Sequence, residues 1–598
     1  MYFPIITPPC FYDNPFPEMC QLWVLYPTRV YTKSYGCDLR FIGGVAFSLS
    51  RSIERINSQE NTATPVAILC PIHYNHGKGD DRMKIFHNAV VYTGDDLTHA
   101  FAVEDGRFLA VGDEALALAG ERIDLGGAFV CAGFNDSHMH LLSFGQALSM
   151  APLAEHTASL EDMVDCLKKT RPDRGWILGR GWNQDYFSDV RRMPSRHDLD
   201  RVSAEHPVCA NRACGHALVV NSKALELLGI TPDTPSPEGG EIDFENGRFF
   251  DNVMDLVLNA IPAPDKQTLK RYIRTACAEL NRRGITSCHS DDYSVFRAIP
   301  WQTVNEVYRE LEAAGELTVR VREQANLTTL PELLEFIETS HPATDRFSMG
   351  PLKLLGDGAL GARTAFLSRP YADAPGTRGL SVFTGQQFDE LIGCAQRSGM
   401  QVAVHCIGDA CLDLVLNAIE KAQTANPRTD ARHGIVHCQI TRPDQLERIA
   451  RMKLHVYAQS IFLDYDTRII HQRVGAELAA SSYSWKTLLD TGATVSNGSD
   501  CPVEAPDVLA GIQCAVTRSD LSGCAPYLPR EAFSVREALD SFTKAGAYAS
   551  FEENIKGAIQ PGMLADFVIL GKNPFQASPD ELKDIPILQT WLDGARVL

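Results

Sequence analysis

Ala128-Phe-Val-Cys-Ala-Gly-Phe-Asn-Asp-Ser-His-Met-His140 joins a short apolar run to two histidines at alternate positions. Successive side chains of an extended segment point to opposite sides, so His138 and His140 point the same way and both imidazoles can reach one metal ion. Such a pair is a weak signal alone, because two polar residues can also simply end a strand. The apolar part, Ala128–Ala132, is predicted to be the first strand of a parallel sheet.

Seven further apolar runs of similar length follow, and all eight are predicted to be buried parallel strands. The seven are Gly284–Cys288, Leu317–Val321, Pro351–Leu355, Gln401–Val404, Gly434–Val436, Leu454–Ala458 and Ala493–Ser496. Helical patterns separate most of them, which favours an α/β fold, the (β/α)8 TIM barrel. The span from about 150 to 280 is too long for one crossover and is predicted to be an inserted subdomain over the mouth of the barrel.

The segments before and after this pattern contain short runs typical of small β-sheets. Strand-like runs lie on either side of a turn at Asp105-Gly106, and the last fifty residues are similar. Because chain ends often lie close together, residues 82–130 and 551–598 are predicted to form one small β-sandwich beside a barrel domain of residues 131–550. Residues 1–81 lack sustained periodicity and are interpreted as an extension of unknown role, either disordered or a mis-assigned start. We interpret His73 and His76 there as loop residues rather than metal ligands.

Composition narrows the class of protein. The chain has 598 residues, 44% of them hydrophobic and 22% charged, which is typical of a soluble globular protein. A formal net charge of -19 without a long Lys/Arg run argues against nucleic-acid or anionic-membrane partners. The 17 scattered cysteines favour reduced thiols and a cytoplasmic location. The sequence shows neither a long apolar span nor the apolar block of a signal peptide, so we predict neither membrane insertion nor export.

Three more residues of metal-binding type end or follow predicted strands. His405 ends one run, His437 ends the next, and Asp500 follows the last. Barrels of this kind build their active sites at the carboxyl ends of the strands. Each residue alone could be a satisfied core or loop side chain, but their coincidence with the His138 and His140 pair predicts a metal site.

Lys353 lies inside the apolar run Pro351–Leu355, where an ammonium group is costly to bury without a partner. The plain alternative is a lysine whose amine extends to solvent.

These motifs resemble the amidohydrolase superfamily, and within it amidohydrolase family 3, the branch of N-substituted formamide deformylase and YtcJ-like proteins. The motifs are Phe134–His140, Lys353–Ala365, His405–Ala410, His437–Gln439 and Asn497–Val503, and the resemblance covers about residues 83–598. Together they are specific for the branch, although the branch is not specific for one substrate.

The resemblance implies one or two divalent metal ions, with zinc expected first and manganese or iron as alternatives. It makes His138, His140 and Asp500 ligands of the more buried metal, and His405 and His437 ligands of a second one. A carbamate on Lys353, formed by uptake of CO2, would bridge the two metals. Asp500 would also carry a proton from the metal-activated water to the leaving amine.

One position departs from the family's pattern, because Val436 stands where relatives commonly have an acidic residue before the histidine. The departure leaves His437 intact and puts the residues that support it in doubt. Cys406, Cys438 and Cys501 each follow a proposed ligand directly. Strand alternation turns such neighbours to the opposite face, so we expect them to pack between barrel and helices.

Substrate contacts are expected from the insert and one barrel loop. By resemblance, Trp182, Arg212 and His216 border the pocket, and His216 polarises the scissile carbonyl. Arg363, after the fourth predicted strand, is a weaker candidate of the same kind. His216 could equally satisfy backbone groups within the insert.

The expected function is hydrolysis of a carbon-nitrogen bond other than a peptide bond, in an N-acyl or N-formyl amine, by attack of metal-activated hydroxide. The alternatives are a deaminase or cyclic-amide hydrolase on the same fold and, from another class, a non-catalytic relative that serves as a binding module. The expected partner is a small-molecule amide, and a homodimer is a family-level expectation.

Overall fold

The computed structural model describes residues 83–213, 217–236, 240–251, 253–296 and 298–598. The predicted extension of residues 1–81, including His73 and His76, lies outside these residues, and so does His216. The described chain forms three parts, which we call the barrel, the insert and the sandwich.

The barrel is a sheet of eight parallel strands, each paired with the next one along the chain. Barrel strands one to eight are Phe134–Met139, Ile285–Ser290, Arg320–Asn326, Phe347–Leu355, Val402–Cys406, Gly434–His437, His455–Ala458 and Thr494–Asn497. The edges meet where Asp500 N donates to His138 O at 2.8 Å and His140 N donates to Cys501 O at 2.8 Å. The predicted (β/α)8 barrel is confirmed.

The first barrel strand was predicted at Ala128–Ala132, and this prediction is wrong. Those residues pair with Val90–Tyr92 and Phe567–Leu570 in the sandwich, whereas Phe134–Met139, with His138 inside it, opens the barrel. Both segments are buried on both faces. Apolar periodicity cannot tell which sheet such a segment joins, and polar residues such as Asn135 and Asp136 hid the true strand.

Helices surround the barrel and cover its outer face. Outside the insert and sandwich they are Leu141–Ala147, Lys266–Arg282, Trp301–Ala313, Leu330–Thr339, Gly385–Arg397, Asp409–Ala425, Pro443–Arg451, Leu463–Asp466, Ile470–Ala479, Trp485–Asp490, Val508–Thr517, Val535–Ser541 and Lys544–Ala549, with short 3-10 turns at Ser460–Phe462 and Pro529–Glu531. The Asp265 side chain caps Lys266–Arg282 by accepting from Thr268 N, and its apolar face is buried. No described helix is both long and apolar enough to cross a membrane.

The insert is a six-stranded sheet between barrel strands one and two. In sheet order its strands are Gly240–Asp243, Arg248–Asp251, Ala217–Val220, Val208–Arg212, Ile177–Trp182 and Ala151–Pro152. Its helical segments are Leu160–Lys169, Gln184–Tyr186, Arg196–Asp200, Ser222–Leu228 and Met254–Leu258. Helix Lys266–Arg282 falls within the span predicted as the insert, yet it packs against the barrel helices Leu141–Ala147 and Trp301–Ala313.

The sandwich pairs both flanks of the described chain in two sheets. One contains Arg107–Val111, Phe101–Glu104, Lys84–His87 and Glu121–Asp124, and the other Ala595–Arg596, Ile587–Leu592, Phe567–Leu570, Phe129–Ala132, Val90–Tyr92 and Leu97–Thr98. Its helical segments are Gly112–Leu116, Pro574–Gln576 and Pro579–Asp584. Phe86 stacks on Phe101 with ring centroids 4.7 Å apart, and Trp591 stacks on Phe567 at 5.3 Å, so aromatic rings from both flanks fill the space between the sheets.

A buried ion pair joins barrel and sandwich. Arg320 of barrel strand three is 4% exposed, and its Nε donates to Asp566 Oδ2 at 2.7 Å. The same guanidinium also contacts Asp593, which follows the sandwich strand Ile587–Leu592. Removing one partner of such a pair leaves a buried charge with incomplete compensation.

We therefore expect Asp566→Asn to lower the free energy of unfolding by about 3 kcal/mol, because Arg320 loses half of its charge compensation. Urea denaturation followed by circular dichroism measures the change. Asp580→Asn, at an exposed position of the same flank, should stay within about 0.5 kcal/mol of the parent. Equal stability of the two variants would contradict the role given to Asp566.

Candidate metal centre

Barrel strands one and eight bring two histidines and an aspartate to one point. His138 Nε2 lies 3.4 Å from Asp500 Oδ1, and His140 Nε2 lies 3.1 Å from the same oxygen. One ligand atom from each of the three residues lies within 4.8 Å of the others. The structure thus assembles the three side chains that the sequence predicted for the more buried metal, although about 360 residues separate the histidines from Asp500.

His405 and His437 continue the cluster from barrel strands five and six. His437 Nε2 lies 2.8 Å from His405 Nδ1, and the ring centroids of His437 and His138 are 5.6 Å apart. His437 and Asp500 adopt backbone φ angles of 71° and 58°, which only a tightly constrained non-glycine residue holds. These turns aim both side chains at the centre as each strand ends.

Lys353 lies on barrel strand four and is only 2% exposed. Its ammonium forms an ion pair with Asp291, whose Oδ2 is 3.2 Å from Lys353 Nζ. Asp291 Oδ2 also accepts from Asn326 Nδ2 at 3.1 Å, while its Oδ1 has no hydrogen-bond partner among the described residues. The buried lysine therefore has a counter-ion, and it does not extend to solvent.

Three acceptors on the side away from the centre orient the rings of His138, His140 and His437. The Nδ1 atom of His138 donates to Gln324 Oε1 at 2.8 Å, and that of His140 donates to the backbone oxygen of Asp291 at 2.9 Å. The Nδ1 atom of His437 donates to Gln459 Oε1 at 2.7 Å. Each bond places a proton on Nδ1, which leaves the Nε2 atom of each ring facing the centre.

The two ring nitrogens of His405 have exchanged roles compared with those of the other three histidines. Its Nε2 donates to Gly358 O at 3.2 Å and lies 3.4 Å from Asp357 Oδ1. Nδ1 of His405 is therefore the nitrogen that faces His437. Asp357 is itself fixed, because it accepts from the backbone nitrogens of Ile407 and Gly408.

The electrostatics of the cluster favour neutral rings at His138 and His437 and an ionised carboxylate at Asp500, which accepts a hydrogen bond from the His140 ring. Burial acts to lower the pKa of His140, but the hydrogen bond to Asp500 and the charge of that carboxylate outweigh it and raise the pKa to about 9. Burial lowers the pKa of His138 and of His437 well below the usual range of histidine. Burial acts to raise the pKa of Asp500, but the hydrogen bond from His140 and the neighbouring imidazoles outweigh it and hold that pKa below the ordinary value. A divalent metal such as zinc, manganese or iron would replace the proton that His140 shares with Asp500, and the imidazole nitrogens and carboxylate oxygen of this buried pocket fit such a metal as ligands.

Val436 lies just below this centre in the barrel interior. It packs with Ala403, Tyr457 and Ala549 in a small apolar cluster. An acidic residue at this position would face that cluster, so the departure from the family's pattern coincides with an apolar layer under the ligands. Cys406, Cys438 and Cys501 belong to the main hydrophobic core. Strand alternation accounts for Cys406 on barrel strand five, whereas Cys438 and Cys501 lie beyond the ends of their strands.

The residues expected to contact substrate are more dispersed. Trp182 is 1% exposed and its indole donates to Ala210 O, so it packs in the core of the insert. Arg212 lies beside it and donates to Gln184 Oε1 at 3.0 Å. Arg363 forms a two-bond ion pair with Asp373, at 3.1 and 2.8 Å. Their roles towards substrate, and that of His216 outside the described residues, stay predictions.

The residues that orient the histidines were not predicted from the sequence. Gln324 lies on barrel strand three, Gln459 directly follows barrel strand seven, and Asp291 directly follows barrel strand two. Their position at the carboxyl ends of strands was the available signal for Asp291 and Gln459. Nothing in the residue types separated them from ordinary polar side chains.

Comparison with known proteins gives the family and the relatives to which this chain is similar. The model of a family described as the amidohydrolase family matches residues 121–598. The chain is 33% identical over 528 residues to YtcJ of Bacillus subtilis, a protein named as an amidohydrolase, covering 85% of this chain and 98% of that protein. It is 26% identical over 542 residues to the N-substituted formamide deformylase of Arthrobacter pascens, covering 85% and 96%. The structure of an uncharacterized metal-dependent hydrolase from Pyrococcus furiosus superposes with a TM-score of 0.70 at 32% identity, covering 83% of this chain and all of that one.

We expect Gln459→Ala to weaken divalent-metal binding by about 10-fold to 100-fold, because His437 loses the acceptor that fixes its ring. Competition with a chromophoric chelator measures the dissociation constant. Gln386→Ala, at an exposed helical position, is the matched control and should bind metal like the parent. Equal metal affinity of the two variants would remove Gln459 from the supporting shell.

Proposed function

Because the chain belongs to the amidohydrolase family of metal-dependent hydrolases, we propose that it hydrolyses the C–N bond of an N-acyl or N-formyl amine. The observation that carries the proposal is the joining of His138, His140 and Asp500 at the carboxyl ends of barrel strands one and eight. The formamide deformylase named above supports the substrate class, since the chain covers 96% of its length.

In this proposal His138, His140 and Asp500 hold one divalent metal, and His405 with His437 holds a second. Zinc is the first choice, and manganese or iron suits the same nitrogen and oxygen donors. A zinc ion held by these residues would lower the pKa of water there to about 7 and would polarise the substrate carbonyl.

Asp500 is proposed to move the proton. In the overall reaction water adds its oxygen to the carbonyl carbon, the C–N bond breaks, and the departing nitrogen must gain a proton. Asp500 is the ionised carboxylate that touches both His138 and His140, so it can take the proton from water and give it to the amine. Its positive φ holds the carboxylate at this position.

Lys353 decides how many metals the site holds. A carbamate forms when the nitrogen of Lys353 adds CO2 and the ammonium group releases two protons to solvent, so its formation must break the ion pair with Asp291. The carbamate would supply an anionic oxygen ligand to the metals. Binding of the carbamate to metal would compensate for the loss of the Lys353–Asp291 ion pair only when both metals are bound. We propose that the carbamate forms together with the metal-loaded site and that Asp291 holds the amine until then.

Lys353→Ala should reduce the metal content from two equivalents to one, because the bridging oxygen is lost while His138, His140 and Asp500 remain. Metal analysis after equilibration with zinc or manganese in bicarbonate buffer measures the ratio. Lys421→Ala, whose side chain is 70% exposed, should keep two. Two equivalents in Lys353→Ala, or one in the parent, would refute the bridged pair without refuting a one-metal hydrolase.

Asp500→Asn should lower turnover by about 10²-fold to 10⁴-fold, because the amide cannot accept the proton that the leaving amine requires. The assay is a screen of N-formyl, N-acetyl and longer N-acyl amines with released amine as the readout. Asp580→Asn serves as the control, and metal analysis accompanies both variants. Parent-like rates in Asp500→Asn would sink the assignment of the proton carrier.

Two other functions make different predictions in the same experiments. A deaminase or cyclic-amide hydrolase would release ammonia or open a ring, and would fit one tight metal with Lys353 unmodified. A non-catalytic relative would bind no zinc, manganese or iron when purified. The complete set of ligand-type residues favours the hydrolase.

His216, Arg212, Arg363 and Trp182 are proposed to shape the substrate side of the site, with Trp182 acting through packing. We also propose a cytoplasmic location, since the twelve cysteines of the described chain are all free and eleven are buried. A homodimer remains part of the proposal, testable by light scattering.

A further inference from the structure

The barrel interior contains a second polar group below the metal centre. We call it the barrel floor and define it by His289, Arg322, Glu552 and Lys556. His289 and Arg322 are register partners on barrel strands two and three, and Arg322 is the register partner of Ser348 on strand four. Val436, Ala403 and Tyr457 form the apolar cluster just below the ligands His405 and His437.

Arg322 lacks the partners that a buried guanidinium needs. Its Nε is buried without an acceptor, and its sole hydrogen bond within the described chain is a long contact of 3.5 Å to Ser348 Oγ. It forms no ion pair with any described carboxylate. A Cβ at Gly350 would lie 2.5 Å from Arg322 Nε, so this glycine provides the space in which the side chain lies.

Arg320, two residues earlier on the same strand, shows the contrast. Its guanidinium binds Asp566 and Asp593 and also donates to Asp345 O at 2.9 Å. Alternation places both arginines on the same face of the strand. The chain thus supplies two carboxylates to one buried arginine and leaves the next without any.

The charges around Arg322 do not balance. Glu552 is the nearby carboxylate, but its Oε2 is bound to Lys556 Nζ at 2.8 Å, and Lys556 also donates to Ser287 Oγ at 3.1 Å. Lys556 and Glu552 compensate each other, so the positive charge of Arg322 is left over. An unpaired charge in the barrel interior lowers the stability of the fold.

His289 adds an unused donor beside this charge. It is 1% exposed, and neither ring nitrogen has a hydrogen-bond partner within the described residues. Burial lowers the pKa of His289 well below the usual range, so its ring is neutral and carries one N–H donor. Arg322 as a residue is half-buried rather than fully buried.

We infer that the barrel floor binds one small monovalent anion, of halide size, between the Arg322 guanidinium and the His289 ring. One negative charge balances the unpaired guanidinium, and a halide accepts several N–H donors at once. The site is separate from the metal centre and needs no metal for its charge balance.

Crystals of the full, metal-loaded chain soaked in sodium bromide test the site directly. An anomalous bromine peak at hydrogen-bonding distance from the Arg322 guanidinium is expected. Water alone at this position, with no bromine signal, would overturn the inference.

Thermal unfolding gives a second readout in solution. Replacing sodium gluconate by sodium chloride at equal ionic strength should raise the Tm of the parent by about 1 °C, because a ligand of the folded state stabilises it. Arg322→Gln should lose this increment. Arg451→Gln, whose parent side chain is 61% exposed, should keep it.

A chloride increment of the same size in Arg322→Gln and in the parent would also reject the site. Should Arg322→Gln fail to fold, the bromide map of the parent decides the question.

Discussion

The hydrogen bonds that close the barrel are the constraint on which the active centre depends. Asp500 N binds His138 O, His140 N binds Cys501 O, and Ser499 N binds the Asp136 carboxylate at 3.0 Å. These bonds link the first and last strands of the sheet. They place Asp500 against the two histidines although most of the chain lies between them. A barrel that did not close would separate the carboxylate from the imidazoles and leave no metal site.

Closure also forces polar side chains into a buried interior, and each must be compensated there. Gln324 and Gln459 satisfy the Nδ1 atoms of two ligands, and Asp291 balances the charge of Lys353. Each acceptor fixes one ring nitrogen. The contacts that satisfy the buried polar groups therefore also orient the imidazole rings. The geometry of the centre is therefore set by neighbours that touch no metal themselves.

The sequence predicted the clustered histidines and Asp500 better than the residues around them, for a physical reason. His138, His140, His405, His437 and Asp500 carry chemistry in their residue type and stand at strand ends, so spacing was enough to find them. Ala128–Ala132 was mistaken for a barrel strand because burial on both faces gives the same apolar pattern in either sheet. Asp291 and Gln459 act only through contacts that closure creates. The pairing of Lys353 with Asp291 depends on distance across two strands, which no local pattern records.

The apolar layer of Val436, Ala403 and Tyr457 allows two charged regions to exist in one barrel. Above it, the ligands gather negative and neutral donors that suit a cation; below it, Arg322 remains positively charged beside the neutral His289. An acidic residue at position 436 would place a carboxylate between these regions and couple them. With valine there, the charge of the barrel floor must be balanced locally, and the rings of the metal centre are oriented by other residues, among them Gln324, Gln459 and Asp357. Val436, which departs from the family's pattern, thus fits a barrel in which an apolar layer separates the metal centre from the barrel floor.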